Sequence, residues 1–194
     1  MNATAKTLGN QETKPLRAQG PAPVLLLGGT GRTGRRVLGE LLDRHVPVRA
    51  IVRSAARLPE AAREDPRLTV TEGDLVSLPP ERLQALLEEC GAAVSCLGHS
   101  ISLRGVFGPP RDLVERAVRS IVEAAQGSQR TAPLRIVLMS SVSVHVPGER
   151  TGATGRAERS VLAVMRGLVP PANDAQRAAD LLAHHVEAES AVEW

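Results

Sequence analysis

The chain has 194 residues and a formal charge of +3, with 42% hydrophobic residues but only 1% aromatic ones. This is one domain of ordinary size, and its core must be Leu, Val, Ile and Ala, because Phe107 and Trp194 are the only aromatics and Tyr is absent. No apolar run approaches the ~20 residues that span a bilayer. The arginines are interleaved with acids and lack stacking aromatics, so membrane and nucleic-acid partners are both set aside.

Residues 1–23 are polar, carry Pro15, Pro21 and Pro23, and show no apolar periodicity. They read as a flexible tail without the apolar stretch of a signal peptide. Residues 24–194 form the folded domain. Val24–Leu27 is a strand, and Arg32 to Asp43 is a helix with Val37, Leu38, Leu41 and Leu42 on one face. Pro47 to Val52 is a second strand, followed by a short helix over Arg57–Arg63. Leu68–Thr71 is a third strand, ending in Glu72-Gly73-Asp74-Leu75. Pro79 and Pro80 open a helix whose buried face is Leu83, Leu86 and Leu87. Ala92–Cys96 is a fourth strand, and Leu97–Pro110 is a loop. Arg111–Gln126 is amphipathic, with Leu113, Val114, Ala117, Val118, Ile121 and Val122 at helical spacing. Arg135–Met139 is a fifth strand, Gly148–Gly155 a glycine-rich loop and Ala157–Leu168 a helix. Asn173 or Asp174 is expected to cap a last helix running through Glu189.

Strands alternating with helices predict an α/β fold, a doubly wound parallel sheet in the order 3-2-1-4-5 with right-handed crossovers. Its ligand crevice lies outside the carboxyl ends of strands one and four. There the sequence reads Gly28-Gly29-Thr30-Gly31-Arg32-Thr33-Gly34. It fits G-x-G-x-x-G from Gly29 to Gly34, and G-x-x-G-x-x-G through Gly28, Gly31 and Gly34. Such glycines permit a tight turn, let backbone approach a pyrophosphate and allow close packing of helix on strand. The following helix offers free N–H groups and a positive dipole end. The turn is therefore expected to hold a dinucleotide.

The second strand ends in Ile51-Val52-Arg53-Ser54, with Arg57 shortly after. An acidic residue there would suit the ribose of NAD, whereas a guanidinium suits the 2′-phosphate of NADP. Arg32 could add another cation, so NADP(H) is expected over NAD(H). Asp74 is placed either to meet the adenine region or to cap a turn.

These pieces, with Val94-Ser95-Cys96-Leu97-Gly98 and Val137-Leu138-Met139-Ser140-Ser141-Val142, give a chain that resembles the atypical short-chain dehydrogenases/reductases. The resemblance is to their NAD(P)H-binding, NmrA-like branch with the flavin and biliverdin-IXβ reductases. It implies a Rossmann fold, with Asp74 and Leu75 in the cofactor-binding set. It also implies Cys96, Leu97 and Gly98 lining the cofactor cleft, and Ser140 and Ser141 beside the nicotinamide. Pro170-Pro171-Ala172-Asn173-Asp174 would lead into the helix that carries Tyr-x-x-x-Lys in orthodox members. Here Gln176 and Asp180 take those two positions, and no Lys follows Lys14. Neither residue can replace that acid–base pair.

A reductase remains feasible, since NADPH carries the hydride and the protein need only hold a flavin, quinone or carbonyl-type acceptor. Ser141, His99 and His145 are the candidate proton handlers. Each also has a plain reading, as a backbone-bonded strand end or a solvated loop histidine. His184 and His185 are adjacent on a helix and do not face one site, so no metal site is expected. The alternative is a non-catalytic NADP(H)-binding redox sensor acting on a protein partner. Cys96 could be a redox-sensitive thiol or a small buried hydrophobe. Cys90 and Cys96 without a secretory signal suggest a reducing cytoplasm. Finally, Ser190-Ala191-Val192-Glu193-Trp194 looks like the opening of a sixth strand that stops short, with the substrate region missing. Strand five would then be the sheet edge, with Ile136, Val137 and Leu138 unpaired and open to self-association.

Overall fold

A computed structural model describes residues 20–98, 112–140, 170–186 and 191–193, and thirteen short elements follow one another among these described residues. They are β1 (Val24–Leu27), α1 (Arg32–Asp43), β2 (Val48–Val52), a 3-10 turn (Ala55–Arg57), α2 (Glu60–Arg63) and β3 (Leu68–Glu72). A second 3-10 turn (Leu75–Ser77), α3 (Pro80–Leu87), β4 (Ala92–Ser95), α4 (Leu113–Gln126), β5 (Leu134–Leu138), α5 (Pro170–Val186) and β6 (Val192–Glu193) follow. The expected tail up to residue 19, the glycine-rich loop 148–155 and the helix 157–168 lie outside the described residues.

The sheet is parallel throughout, in the order β3-β2-β1-β4-β5-β6. This is the expected doubly wound order with one correction. β6 lies outside β5, where Leu134 pairs with Val192 and Arg135 with Glu193, while Ile136, Val137 and Leu138 have no β6 partner among the described residues. The apolar Val192 is buried against the core, which is what seats so short a strand. An ion pair between Arg135 and Glu193 joins the same two strands at 2.9 Å.

Each face of the sheet carries its own apolar layer. Leu26, Val48, Ala50, Val52 and Cys96 pack with Leu38 and Leu42 of α1 on one face. Leu25, Leu27, Ile51, Ala93, Leu134 and Ile136 pack with α3, α4 and α5 on the other. α4 contributes most to that layer, through Val114, Ala117, Val118, Ile121 and Val122. Fully burying each such aliphatic side chain is worth about 1.5–3 kcal/mol. β1 is buried on both faces, which explains its unbroken Val-Leu-Leu-Leu run.

The amino-terminal edge of the sheet is closed by side chains. The last carbonyls of α3 receive Arg49, whose Nη1 donates to the Leu86 oxygen at 2.8 Å. Arg130 donates to the oxygens of Leu87 and Cys90. Cations at a helix carboxyl end oppose the negative end of its dipole. α1 ends in a Schellman turn, with the His45 N–H donating to the Leu42 oxygen and the Val46 N–H to the Leu41 oxygen. His45 sits at φ +58° there, a conformation that favours glycine.

Candidate functional site

β1 delivers the chain to the carboxyl edge of the sheet, and Gly28 turns it with φ +73°. A Cβ on Gly28 would lie 2.6 Å from the Cys96 carbonyl oxygen, so the turn also needs glycine to pass the end of β4. Gly34 is the second obligatory glycine. Its Cβ would lie 2.1 Å from the Gly28 carbonyl oxygen, because the first turn of α1 packs directly on the loop. Gly29 and Gly31 are under less constraint, so Gly28 and Gly34 are the key pair of the motif.

α1 begins at Arg32, the preceding Gly31 has no side chain to cap it, and its first turn contains no acidic residue. Among the described residues, the N–H groups of Arg32, Thr33 and Gly34 make no hydrogen bond. This leaves several donors and the positive end of the helix dipole directed at the crevice. Arg32, Arg53 and Arg57 are all exposed around this turn, and none is in an ion pair among the described residues. Thr30 is half-buried and Thr33 exposed.

The Arg53–Arg57 loop is tied down from both sides by residues that the motif does not include. Arg35 of α1 donates from Nη2 to the Arg57 carbonyl oxygen at 2.7 Å. Glu72, at the end of β3, accepts from the Ala55 N–H. The available sequence signal for Arg35 was its spacing of three from Arg32, which puts both on one helix face. Glu72 carried no signal of this kind, since the bond depends on the register that sets it beside Val52.

Asp74 caps the second 3-10 turn, with Oδ1 accepting from the Val76 N–H at 3.2 Å. The capping reading of Asp74 is therefore the one seen, and Leu75 behind it is buried. Cys96, Leu97 and Gly98 follow β4, beside Met139 and the exposed Ser140 beyond β5. Cys96 is 8% exposed, and burial pushes its thiol up from the ordinary range, as a small hydrophobe would behave. Ser95 is fully buried, and its hydroxyl has no hydrogen-bond partner among the described residues. His99, Ser141 and His145 lie outside the described residues.

The expected cap of the last helix is different. α5 starts at Pro170, and Asp174 lies inside it rather than at its start. The Asp174 carboxylate reaches α4 instead, accepting from the N–H groups of Val114 and Glu115 at 2.9 Å each. Asp112, the residue preceding α4, makes no side-chain cap, so the carboxylate arrives from 60 positions along the chain. Gln176 and Asp180 bond to each other at 2.9 Å along α5.

Residues 28–194 match the model of a family described as NAD(P)H-binding. An uncharacterized chloroplastic protein of Arabidopsis thaliana is 33% identical over 73 residues, which is 38% of this chain and 26% of the relative. A short-chain dehydrogenase/reductase from Veillonella parvula superposes with a TM-score of 0.55 at 15% identity, covering 84% of this chain and 63% of that one. An anaerobillin reductase from Escherichia coli O157:H7 gives 0.50 at 20% identity, covering 79% and 64%. The chain thus spans about a quarter of its curated relative and just under two thirds of these solved chains. At these identities the structural likeness concerns the fold, which is the one the short-chain dehydrogenase/reductase resemblance implies.

Proposed function

Because the chain belongs to the NAD(P)H-binding family, we propose that the crevice outside β1 and β4 holds NADP(H) and that the protein is a reductase of a small acceptor. The observation that carries this reading is the bare first turn of α1. Arginines at the positive end of a helix dipole are unfavourable by themselves, by about 0.3–1 kcal/mol each. Arg32 stands at that end with no acid beside it, an arrangement that makes sense when an anion completes the site. The N–H groups of Arg32, Thr33 and Gly34, with Thr30 and Gly31, would hold the pyrophosphate. Arg53 and Arg57 would take the 2′-phosphate through charge-assisted hydrogen bonds, which favours NADP(H) over NAD(H). Asp74 and Leu75 would border the adenine, and Cys96, Leu97, Gly98 and Ser140 the nicotinamide half.

NADPH supplies the hydride when bound. Gln176 cannot donate a proton as a phenol does, and its amide is engaged with Asp180. The acceptor is then of flavin, quinone or carbonyl type and takes its proton from water or from Ser141, His99 or His145. The two free cysteines suit a reducing compartment such as the cytoplasm. Steady-state oxidation of NADPH against a panel of flavins and quinones tests the enzyme. Turnover supports it. Tight NADPH binding with no turnover on any acceptor would favour the second reading, a non-catalytic NADP(H) sensor for a protein partner, which the lack of any Tyr in the chain makes credible.

A further inference from the structure

We infer that Arg35 and Glu72 are positioning residues that set cofactor selectivity without belonging to the glycine motif or to the cationic pair. The inference rests on the NADP(H) reading of the same crevice. Arg53 and Arg57 sit on a loop between β2 and α2 whose only regular piece is one 3-10 turn. Such a turn is too short to fix two long side chains by itself. Ser54 precedes the turn and makes no side-chain cap. The turn is held instead by two side chains from other elements. The Glu72 carboxylate receives the Ala55 N–H at its start, and the Arg35 guanidinium binds the Arg57 carbonyl at its end. The loop is thereby fixed to β3 on one side and to α1 on the other, and α1 is itself pinned to the glycine turn through Gly34. The distance from pyrophosphate donors to 2′-phosphate donors is then set in advance, which lowers the ordering cost of binding.

Glu72 separates this account from simple charge. A carboxylate near a 2′-phosphate site repels the phosphate, so on electrostatics alone its removal tightens binding. On the positioning account its removal releases the Ala55 N–H and weakens binding.

The experiment is calorimetric titration of adenosine 2′,5′-bisphosphate and of 5′-AMP into the full chain. Wild type is expected to prefer the bisphosphate. Equal affinity for both in wild type would remove the NADP(H) reading, and this inference with it. With wild-type preference in place, Glu72→Ala and Arg35→Met are each expected to lose about three- to tenfold in bisphosphate affinity, as for one lost hydrogen bond, with 5′-AMP unchanged. Glu72→Gln, which keeps an acceptor and drops the charge, is expected to retain or exceed wild-type affinity. Bisphosphate binding by Glu72→Ala at or above wild-type strength would overturn the inference while leaving the NADP(H) reading intact. An equal loss toward both ligands would overturn it too, as the mark of general damage to the fold.

Discussion

Two of the helices that begin at the carboxyl edge of this sheet, α1 and α4, have amino termini treated in opposite ways. α4 starts against a buried carboxylate, with Asp174 accepting from the Val114 and Glu115 N–H groups. α1 follows Gly31, with no acid and no side-chain capping bond, and with exposed arginines around its start. Both ends present the same chemistry, a cluster of donors at a positive dipole end. Where the protein needs only an anchor, it supplies the anion from its own chain. Where it leaves the donors open, it surrounds them with more positive charge. The contrast separates a structural helix start from one built for a ligand.

The comparison can be broken most severely at Gly34. Gly34→Val drives a side chain into the Gly28 carbonyl, which a Cβ would approach to 2.1 Å. We expect loss of NADPH binding and destabilisation at or above the upper end of the ~1–3 kcal/mol typical of over-packing, read by urea unfolding. Asp174→Ala removes the anion from α4 and leaves two N–H donors without it. It should cost about 2–4 kcal/mol by the same assay, with Asp174→Asn intermediate. Arg32→Glu makes α1 resemble α4 by placing an acid at the open end. The ligand-free chain should gain about 0.3–1 kcal/mol while NADPH affinity falls, a trade of binding for stability. Stabilisation without loss of binding would show that Arg32 has no part in the site.

The smallest effect concerns pH at the start of α4. Burial acts to raise the Glu115 carboxyl, but hydrogen bonds from Arg119 and Arg177 outweigh it and hold the group below its ordinary value of 4.5. A carboxyl lowered in the folded state stabilises above its unfolded pKa, and that contribution is lost as pH falls through the folded value. Glu115→Gln should therefore lose that contribution at neutral pH, about a few tenths of a kcal/mol for so solvent-accessible a group, and converge on wild type as pH falls below the ordinary value of 4.5, so that its acid limb is flatter.

How much of this was legible in the sequence follows from how local each feature is. The bounds of α1, Arg32–Asp43, and the glycine turn before it depend on neighbouring residues, and the reading of both agrees with the fold. The strand order followed from alternation of elements, with β6 added because a buried Val192 pairs with Leu134. The role of Asp174 could not be read, since a capping residue is expected at the start of its own helix and this one serves another. Glu72 and Arg35 were missed for the same reason, as both act on a loop brought near by the sheet. For Asp74 two roles were readable, and the contact to Val76 shows the cap, with the adenine role left to the proposal.

The proposed NADP(H) cradle is the open end of α1 together with Arg53 and Arg57. Titrating NADPH and NADH in parallel against wild type and Arg53→Glu tests it most directly. The account predicts tighter binding of NADPH by wild type, and loss or reversal of that preference in the variant. Equal affinity of wild type for the two cofactors would contradict it.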